Sequence, residues 1–319
     1  MFETTSIYIV ATPWNFLNAF LHASQRVNEK SLLMYVDFPI DQKNLYLKAL
    51  DQLSRNSPFE ETWCFHGKFK GVFNKWLTRK KELQEIQNIV RRFKPEQVFV
   101  GSDRRIEFQC AMTEAIKYKP VKGIYMEEGL FTYVCRKRSQ RWSDRVLDSW
   151  VKRIVYPVDW KHPPTIGASD WIQEGYVLRP DDACKILKNK IVLNAINIAD
   201  FSSPVFERLI QTMMTQETFD WLKAPFDVLL VLPHPSQLDD SKRQKIDEMV
   251  KNFVQLGKLI RVKRHPRDNS EFDLCEELPA HLPLELLAPW LSFNQLIASK
   301  STASMTMKLL KPNLITEVI

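Results

Sequence analysis

The sequence predicts an α/β protein of two units, each a parallel sheet covered by helices on both faces. Three observations carry this: apolar runs of strand length alternate with helical patterns from the start, the alternation lapses between roughly 155 and 225, and it then restarts. Consecutive strands separated by helices have to cross over, and right-handed crossovers lay parallel strands side by side. A chain of 319 residues also exceeds what one hydrophobic core usually supports.

The first unit spans 1–155. SIYIVAT (6–12) is a strand-length apolar run, FLNAFLHASQRV (16–27) spaces its apolar residues as a helix does, and SLLMYVDF (31–38) is a second strand. A helix over 41–55 and the short strand ETWCF (61–65) come next. KELQEIQNIVRRF (81–93) is an amphipathic helix, QVFVGS (97–102) a strand, 106–117 a helix and VKGIYME (121–127) another strand. Region 156–224, with its proline-rich VDWKHPPTIG and a helix-rich stretch at 182–222, suits a bridge. The second unit, 225–319, opens with the strand PFDVLLVLPH (225–234). SKRQKIDEMVKNFVQLG (241–257) is a helix stopped by Gly257, and KLIRVKRHP (258–266) is a strand. LPLELL, a helix over WLSFNQLIA (290–298), STASMTMKLLK and NLITEVI complete it.

Composition narrows the chemistry. At 45% apolar and 26% charged the chain is an ordinary folded protein. It has only 8 Gly against 18 Pro, and neither GxGxxG nor GxxxxGK[ST] occurs, so any phosphate is held by other means. Cys64, Cys110, Cys135, Cys184 and Cys275 are odd in number and never in CxxC spacing. That pattern points to reduced thiols in the cytoplasm and away from a zinc site. MFETTSIYIVATP does not read as a signal peptide, and no apolar stretch reaches the about 18 residues that a membrane span needs. The net charge of +7 concentrates in KFKGVFNKWLTRKK (68–81) and RKRSQRWSDRVLDSWVKR (136–153), interleaved with Trp76, Trp142 and Trp150. These segments fit a solvated face or a surface that meets anionic lipid or an acidic polymer. No nucleic-acid module signature accompanies them.

Parallel sheets place their sites at the C-terminal ends of the strands. That rule selects Thr12-Pro13-Trp14-Asn15, Ser102-Asp103, Glu127-Glu128-Gly129, His234-Pro235 and His265-Pro266. Glu127 and Glu128 leave a strand beside Gly129, which permits a sharp turn. Two neighbouring carboxylates tend to raise one pKa, which makes one of them a general-base candidate; a polar turn is the plainer reading. His-Pro occurs three times, at His162, His234 and His265. His265 has the basic neighbours Lys263, Arg264 and Arg267, suited to a phosphate. His162 lies in the proline-rich connector and reads as structural, while His234 ends a strand without basic neighbours. Ser301 and Thr302 in ASKSTASMTMKLL (298–310) are helix N-caps by default, and the same N–H groups and helix dipole make an anion site. There is no DxD, HExxH or acidic cluster, so a metal-assisted diphosphate is disfavoured.

ATPWNFLNAFLHA at the first strand end, EEG, HP within KRHPRD and STA opening the last helix stand in the order found in bacterial sialyltransferases. The sequence resembles their lipooligosaccharide sialyltransferase and polysialyltransferase groups, whose motifs are [DE][DE]G, HP and an [ST][ST] pair. The resemblance implies a GT-B glycosyltransferase, with two Rossmann-like domains whose parallel sheets face across a cleft. It implies a CMP-activated nine-carbon acid sugar as donor, inversion at the anomeric centre and no required cofactor or metal. Carried over by position, Glu127 matches the general base, His265 the histidine that meets the CMP phosphate, and Ser301 and Thr302 the pair that holds that phosphate. Lys263, Pro266 and Arg267 accompany them on the nucleotide side. Glu128, Gly129, Asn15 and Asp103 stand on the acceptor side or support the turn. Of the two carboxylates, Glu127 is expected to face the cleft and Glu128 to fix the turn through backbone hydrogen bonds.

The implied acceptor is an oligosaccharide or glycolipid such as lipooligosaccharide or capsule, and the basic Trp-containing segments are candidates for peripheral contact with the cytoplasmic face of the inner membrane. Three features depart from the family pattern. Lys300 stands where relatives often have a third hydroxyl, PHPSQ replaces a polar strand-end segment, and Ile319 is an early end that raises a missing membrane-associating tail. Two other readings stay open: a GT-B transferase of another acidic sugar such as Kdo, or of a polyol phosphate from a CDP donor, and a catalytically silent glycan-binding assembly protein.

Overall fold

The structure, a computed structural model, describes residues 4–37, 45–66, 72–135, 156, 158–265, 268, 272–299, 307–308, 311 and 313–318. It divides into two compact units, Met1–Asn197 and Ile198–Ile319. No described helix is long and apolar enough to cross a membrane.

The first unit is built on β1 (Thr4–Val10), α1 (Pro13–Gln25), β2 (Glu29–Val36), α2 (Leu45–Leu53), β3 (Glu61–Phe65), α3 (Val72–Phe93), β4 (Gln97–Val100), α4 (Ile106–Ala115), β5 (Lys122–Met126), α5 (Leu130–Val134), β6 (Ile172–Val177) and β7 (Val192–Ala195). Its seven strands are all parallel, in the order β3-β2-β1-β4-β5-β6-β7. The central strands are apolar without alternation because helices cover both faces, and Ile7, Tyr8, Ile9, Val98, Phe99, Ile124 and Tyr125 are buried. Pro13 opens α1 where its missing N–H costs nothing, and the Thr12 hydroxyl accepts from Asn15 N at 3.2 Å. β1 continues to β2 on one side and pairs with β4 on the other, so the strand order reverses at β1/β4 and opens a crevice there.

The second unit carries β8 (Val228–Val231), β9 (Ile260–Lys263), β10 (Glu276–Glu277), β11 (Gln295–Ala298) and β12 (Ile315–Val318), parallel in the order β10-β9-β8-β11-β12. Its reversal lies at β8/β11. The helix Asp240–Gln255 is capped by Asp239, whose carboxylate accepts from Lys242 N at 2.9 Å, and it ends before Gly257 at φ +72°.

Four expectations give way. The bridge expected over 156–224 is divided between the units: β6 and β7 extend the first sheet, while the helices Pro204–Gln211 and Gln216–Lys223 fall in the second. β6 was concealed by its half-buried composition, with Gln173 exposed and Gly175 in its middle. WLSFNQLIA is not a helix; its last four residues form β11, paired on both sides, so that an apolar run satisfies two buried faces at once. The cysteines are not all reduced thiols. Cys135 and Cys184 form a disulfide with Cα atoms 5.5 Å apart, because β5 and β6 are neighbours and the segments after them pack, Cys184 N donating to Thr132 O at 3.0 Å. Cys64, Cys110 and Cys275 stay free. The inference from reduced thiols to a cytoplasmic setting thereby loses its premise.

The basic stretch 136–153 lies outside the described residues. Of the stretch 68–81, the described part belongs to α3, where Arg79 pairs with buried Glu107 and Lys80 sits 5.5 Å from the Trp76 ring centroid.

Candidate active site

Glu127 and Glu128 follow β5, and the chain turns at Gly129 (φ 62°, ψ −135°), a conformation that only glycine adopts readily. The two carboxylates part company here. Glu127 is 1% exposed, and its Oε2 accepts from Leu178 N at 2.7 Å and from the Tyr133 hydroxyl at 2.7 Å. Its carboxyl pKa is pushed up to about 7 by burial, against the opposing pull of the Leu178 N–H, the Tyr133 hydroxyl and the Arg179 charge. Glu127 thus joins β5, α5 and the end of β6. Arg179, one residue beyond Leu178, lies 4.9 Å from the Tyr133 ring centroid and pairs with Asp182 at 2.9 Å.

Glu128 is only half-buried. Its backbone N–H lies 3.2 Å from both the Tyr125 hydroxyl and the Thr132 hydroxyl, which bond each other at 2.8 Å. Its side chain turns toward the end of β4. A Cβ on Gly101 would meet Asn15 Nδ2 at 2.3 Å and Glu128 Oε2 at 2.6 Å, so only glycine leaves room for both. Asn15, in the first turn of α1, also donates to Glu127 O at 3.4 Å. Glu128, Asn15 and Gly101 therefore gather at the β1/β4 reversal, where a parallel sheet opens its crevice.

The structure gives the two carboxylates different surroundings. Glu127, expected to face the cleft, is the residue whose carboxylate fixes the turn. Glu128, expected to fix the turn through backbone hydrogen bonds, makes them with its N–H to the Tyr125 and Thr132 hydroxyls, while its carboxylate lies beside Asn15 and Gly101. The cause is α5: it begins immediately after Gly129 and brings Tyr133 back over Glu127. Asp103 is a support residue. It is fully buried, with Oδ1 accepting from Gly167 N at 2.9 Å and Oδ2 from Ser169 N at 2.7 Å.

In the second unit the register pairs Val231 of β8 with Lys263 of β9, and both strands run on to a His-Pro. His234 and His265 consequently meet edge to face, with ring centroids 4.8 Å apart. The cations expected around His265 are disposed otherwise. Lys263 is 4% exposed and gives its ammonium to Pro279 O at 2.8 Å and Ala280 O at 2.9 Å, burial pulling its pKa down to about 8. Arg261, two residues earlier on the same face of β9, is also buried and bonds Leu222 O and Ala224 O. Arg264 forms a fork with Glu277 at 2.8 and 2.7 Å. Lys263 is thus a structural cation instead of a phosphate ligand. Pro266, Arg267, Ser301 and Thr302 lie outside the described residues. A groove of about 550 Å³ runs between the β8 loop at Pro233 and Gln237, Ser299 after β11, and Lys242, Ile246 and Met249 of the helix Asp240–Gln255.

Solved structures align with nearly the whole chain. The UDP-GlcNAc 2-epimerase from Neisseria meningitidis bound to UDP-GlcNAc is 10% identical, with a TM-score of 0.50 over 93% of this chain and 78% of that one. S. aureus MnaA with UDP is 10% identical, with a TM-score of 0.51 over 94% and 75%. The spinosyn forosaminyltransferase SpnP is 9% identical, with a TM-score of 0.53 over 96% and 77%. The chain has the GT-B fold. No protein-family model matches the sequence, and no curated protein sequence matches it.

Within this GT-B chain, Asn15, Glu127, Glu128 and Gly129 come together in one unit, and His265 stands at a strand end in the other. Sequence reasoning missed Gly101, Tyr133, Leu178 and His234 as partners of these residues. Only Gly101 and His234 carried a signal, one as a glycine closing a strand and one as a second His-Pro after a strand.

Proposed function

We propose that the protein is an inverting glycosyltransferase that moves sialic acid, or a related nonulosonic acid, from a CMP-sugar to a cell-surface glycan acceptor. The observation that carries this reading is the seating of the ordered motifs on a GT-B chain: the Glu-Glu-Gly turn at the C-terminal end of β5 and His265 at the C-terminal end of β9. Glu128 takes the proton of the acceptor hydroxyl. The acceptor oxygen bonds to C2 of the donor as the C2–O bond to the phosphate breaks, and the electron pair leaves on CMP. His265 meets the charge that grows on that phosphate, so stabilisation is greatest in the transition state. Glu127 positions Glu128 by anchoring the turn, and no cofactor enters the scheme. The excess of positive charge in the chain favours a donor with two anionic groups.

The test is incubation with CMP-sialic acid and a panel of galactosides, with CMP release as the readout. Turnover of CDP-linked or UDP-linked donors alone would overturn the reading. A second reading, a UDP-sugar enzyme, draws on the two neighbours solved with uridine nucleotides, and the same assay with UDP-GlcNAc addresses it. No nucleotide binding at all would favour a silent glycan-binding protein.

A further inference from the structure

We propose that His234 is a second phosphate-contacting residue of the nucleotide site, beside His265. The proposal rests on the nucleotide-donor reading above and adds a residue to it.

Register brings the two imidazoles together. Leu232 N donates to Lys263 O at 3.0 Å, so pairing of β8 and β9 persists to the last residue before both strands turn away. Proline follows each histidine in the sequence and supplies no N–H to continue a ladder. The outcome is an edge-to-face pair with an interplanar angle of 66° at the C-terminal edge of the sheet, where α/β proteins bind ligands.

The chemistry of His234 is settled by its turn. Ser236 N donates to His234 Nδ1 at 3.1 Å, and the Ser236 hydroxyl lies 2.8 Å from the same nitrogen. A ring nitrogen that accepts a backbone N–H carries no proton, so the neutral ring has its hydrogen on Nε2. One nitrogen is committed to the turn and the other is a donor of fixed direction. Pro233 and Gln237, on either side of His234 in the chain, line the groove of about 550 Å³, so the turn that carries His234 borders that groove.

The obvious cationic alternatives on these strands are already engaged. Lys263 is held by two carbonyls and Arg264 by Glu277. The N-terminus of the helix Asp240–Gln255 is capped by the Asp239 carboxylate, which makes it a poor seat for an anion. A phosphate at the ends of β8 and β9 takes the Nε2 donor of His234 in this proposal, with Lys242 and Lys245 adding positive charge along the groove.

The experiment follows the histidine Cε1–Hε1 NMR signals of the full chain, with the His234 signal assigned by its loss in His234→Gln. CMP is expected to move that signal and cytidine to leave it in place. His234→Ala should weaken CMP binding roughly ten- to a hundredfold with cytidine binding unchanged. His234→Gln, whose amide N–H can replace the Nε2 donor, should recover part of the loss. If CMP binds while the His234 signal stays still, or if His234→Ala binds CMP as the wild type does, the inference fails and the donor reading stands. If CMP does not bind but UMP or pyrophosphate moves the signal, the donor reading fails and His234 keeps its role. If no phosphate-bearing ligand binds, both fail.

Discussion

The Tyr133 hydroxyl donates to Glu127 Oε2 at 2.7 Å, and Leu178 N reaches the same oxygen at the same distance. Two donors from two different elements converge on one atom, so the first glutamate of the pair acts as a joint. An amide oxygen placed there would accept both bonds. Glu127→Gln is therefore expected to fold and to keep activity within about tenfold, because it preserves the turn that carries Glu128. Glu128→Gln should lower kcat by roughly 100-fold or more with nucleotide affinity unchanged, as loss of a general base does. Steady-state kinetics on both variants decide the matter. Full loss in Glu127→Gln with an active Glu128→Gln would restore the opposite assignment.

The same burial has a pH signature. The folded-state pKa of Glu127 lies near 7, above its usual carboxylate value of 4.5. The native state therefore holds a proton that the unfolded chain has released across that window. Stability is highest below the unfolded pKa and is lost as pH rises toward the folded one, by on the order of 3 kcal/mol in total from this group. Thermal melts between pH 5 and 8 should show the first unit weakening with rising pH, and Glu127→Gln should flatten the slope. An unchanged slope in that variant would mean that other groups set the dependence.

The sequence made the alternation legible because the central strands are buried on both faces and read as uninterrupted apolar runs. It also placed the Glu-Glu-Gly turn, since Gly129 at φ 62° is a position where a side chain is strained. What it concealed were relationships that depend on strand order. Lys263 reads as an exposed cation in KRHPRD, yet β9 pairs on both sides and turns that residue inward to carbonyls at 2.8 and 2.9 Å. Tyr133 and Glu127 are only six residues apart, but their bond depends on the path of α5. Edge-side strands such as β6, half polar and interrupted by Gly175, lack the period that would announce them.

The Cys135–Cys184 disulfide ties the end of α5 to the segment after β6, on either side of the Glu127 joint. It closes a loop with a sequence separation of 49 residues, for which restriction of the unfolded chain contributes about 4 kcal/mol. Reduction should lower the melting temperature of the wild type, and Cys135→Ser should melt at the reduced value with or without reductant. Activity should fall along with the stability of α5, because that helix supplies both Tyr133 and Thr132. A melting curve insensitive to reductant would remove the bond from the stability of this unit.

Gly101 offers the sharpest probe of the crevice, because it touches the site through space alone. A methyl group there would lie within 2.6 Å of Asn15 and Glu128 side-chain atoms, far inside contact distance. Something must move, and overpacking of this size typically costs about 1–3 kcal/mol. Both displaced groups stand at the β1/β4 reversal, so Gly101→Ala is expected to reduce kcat more than it reduces stability. Nucleotide binding, assigned to the second unit, should be unaffected. The check pairs a denaturant titration with kinetics and CMP calorimetry on the one variant. If Gly101→Ala keeps wild-type turnover, Glu128 can move freely without consequence and is not the base. If it loses nucleotide affinity in proportion to kcat, the assignment of acceptor chemistry to this crevice and of nucleotide to β8 and β9 is wrong.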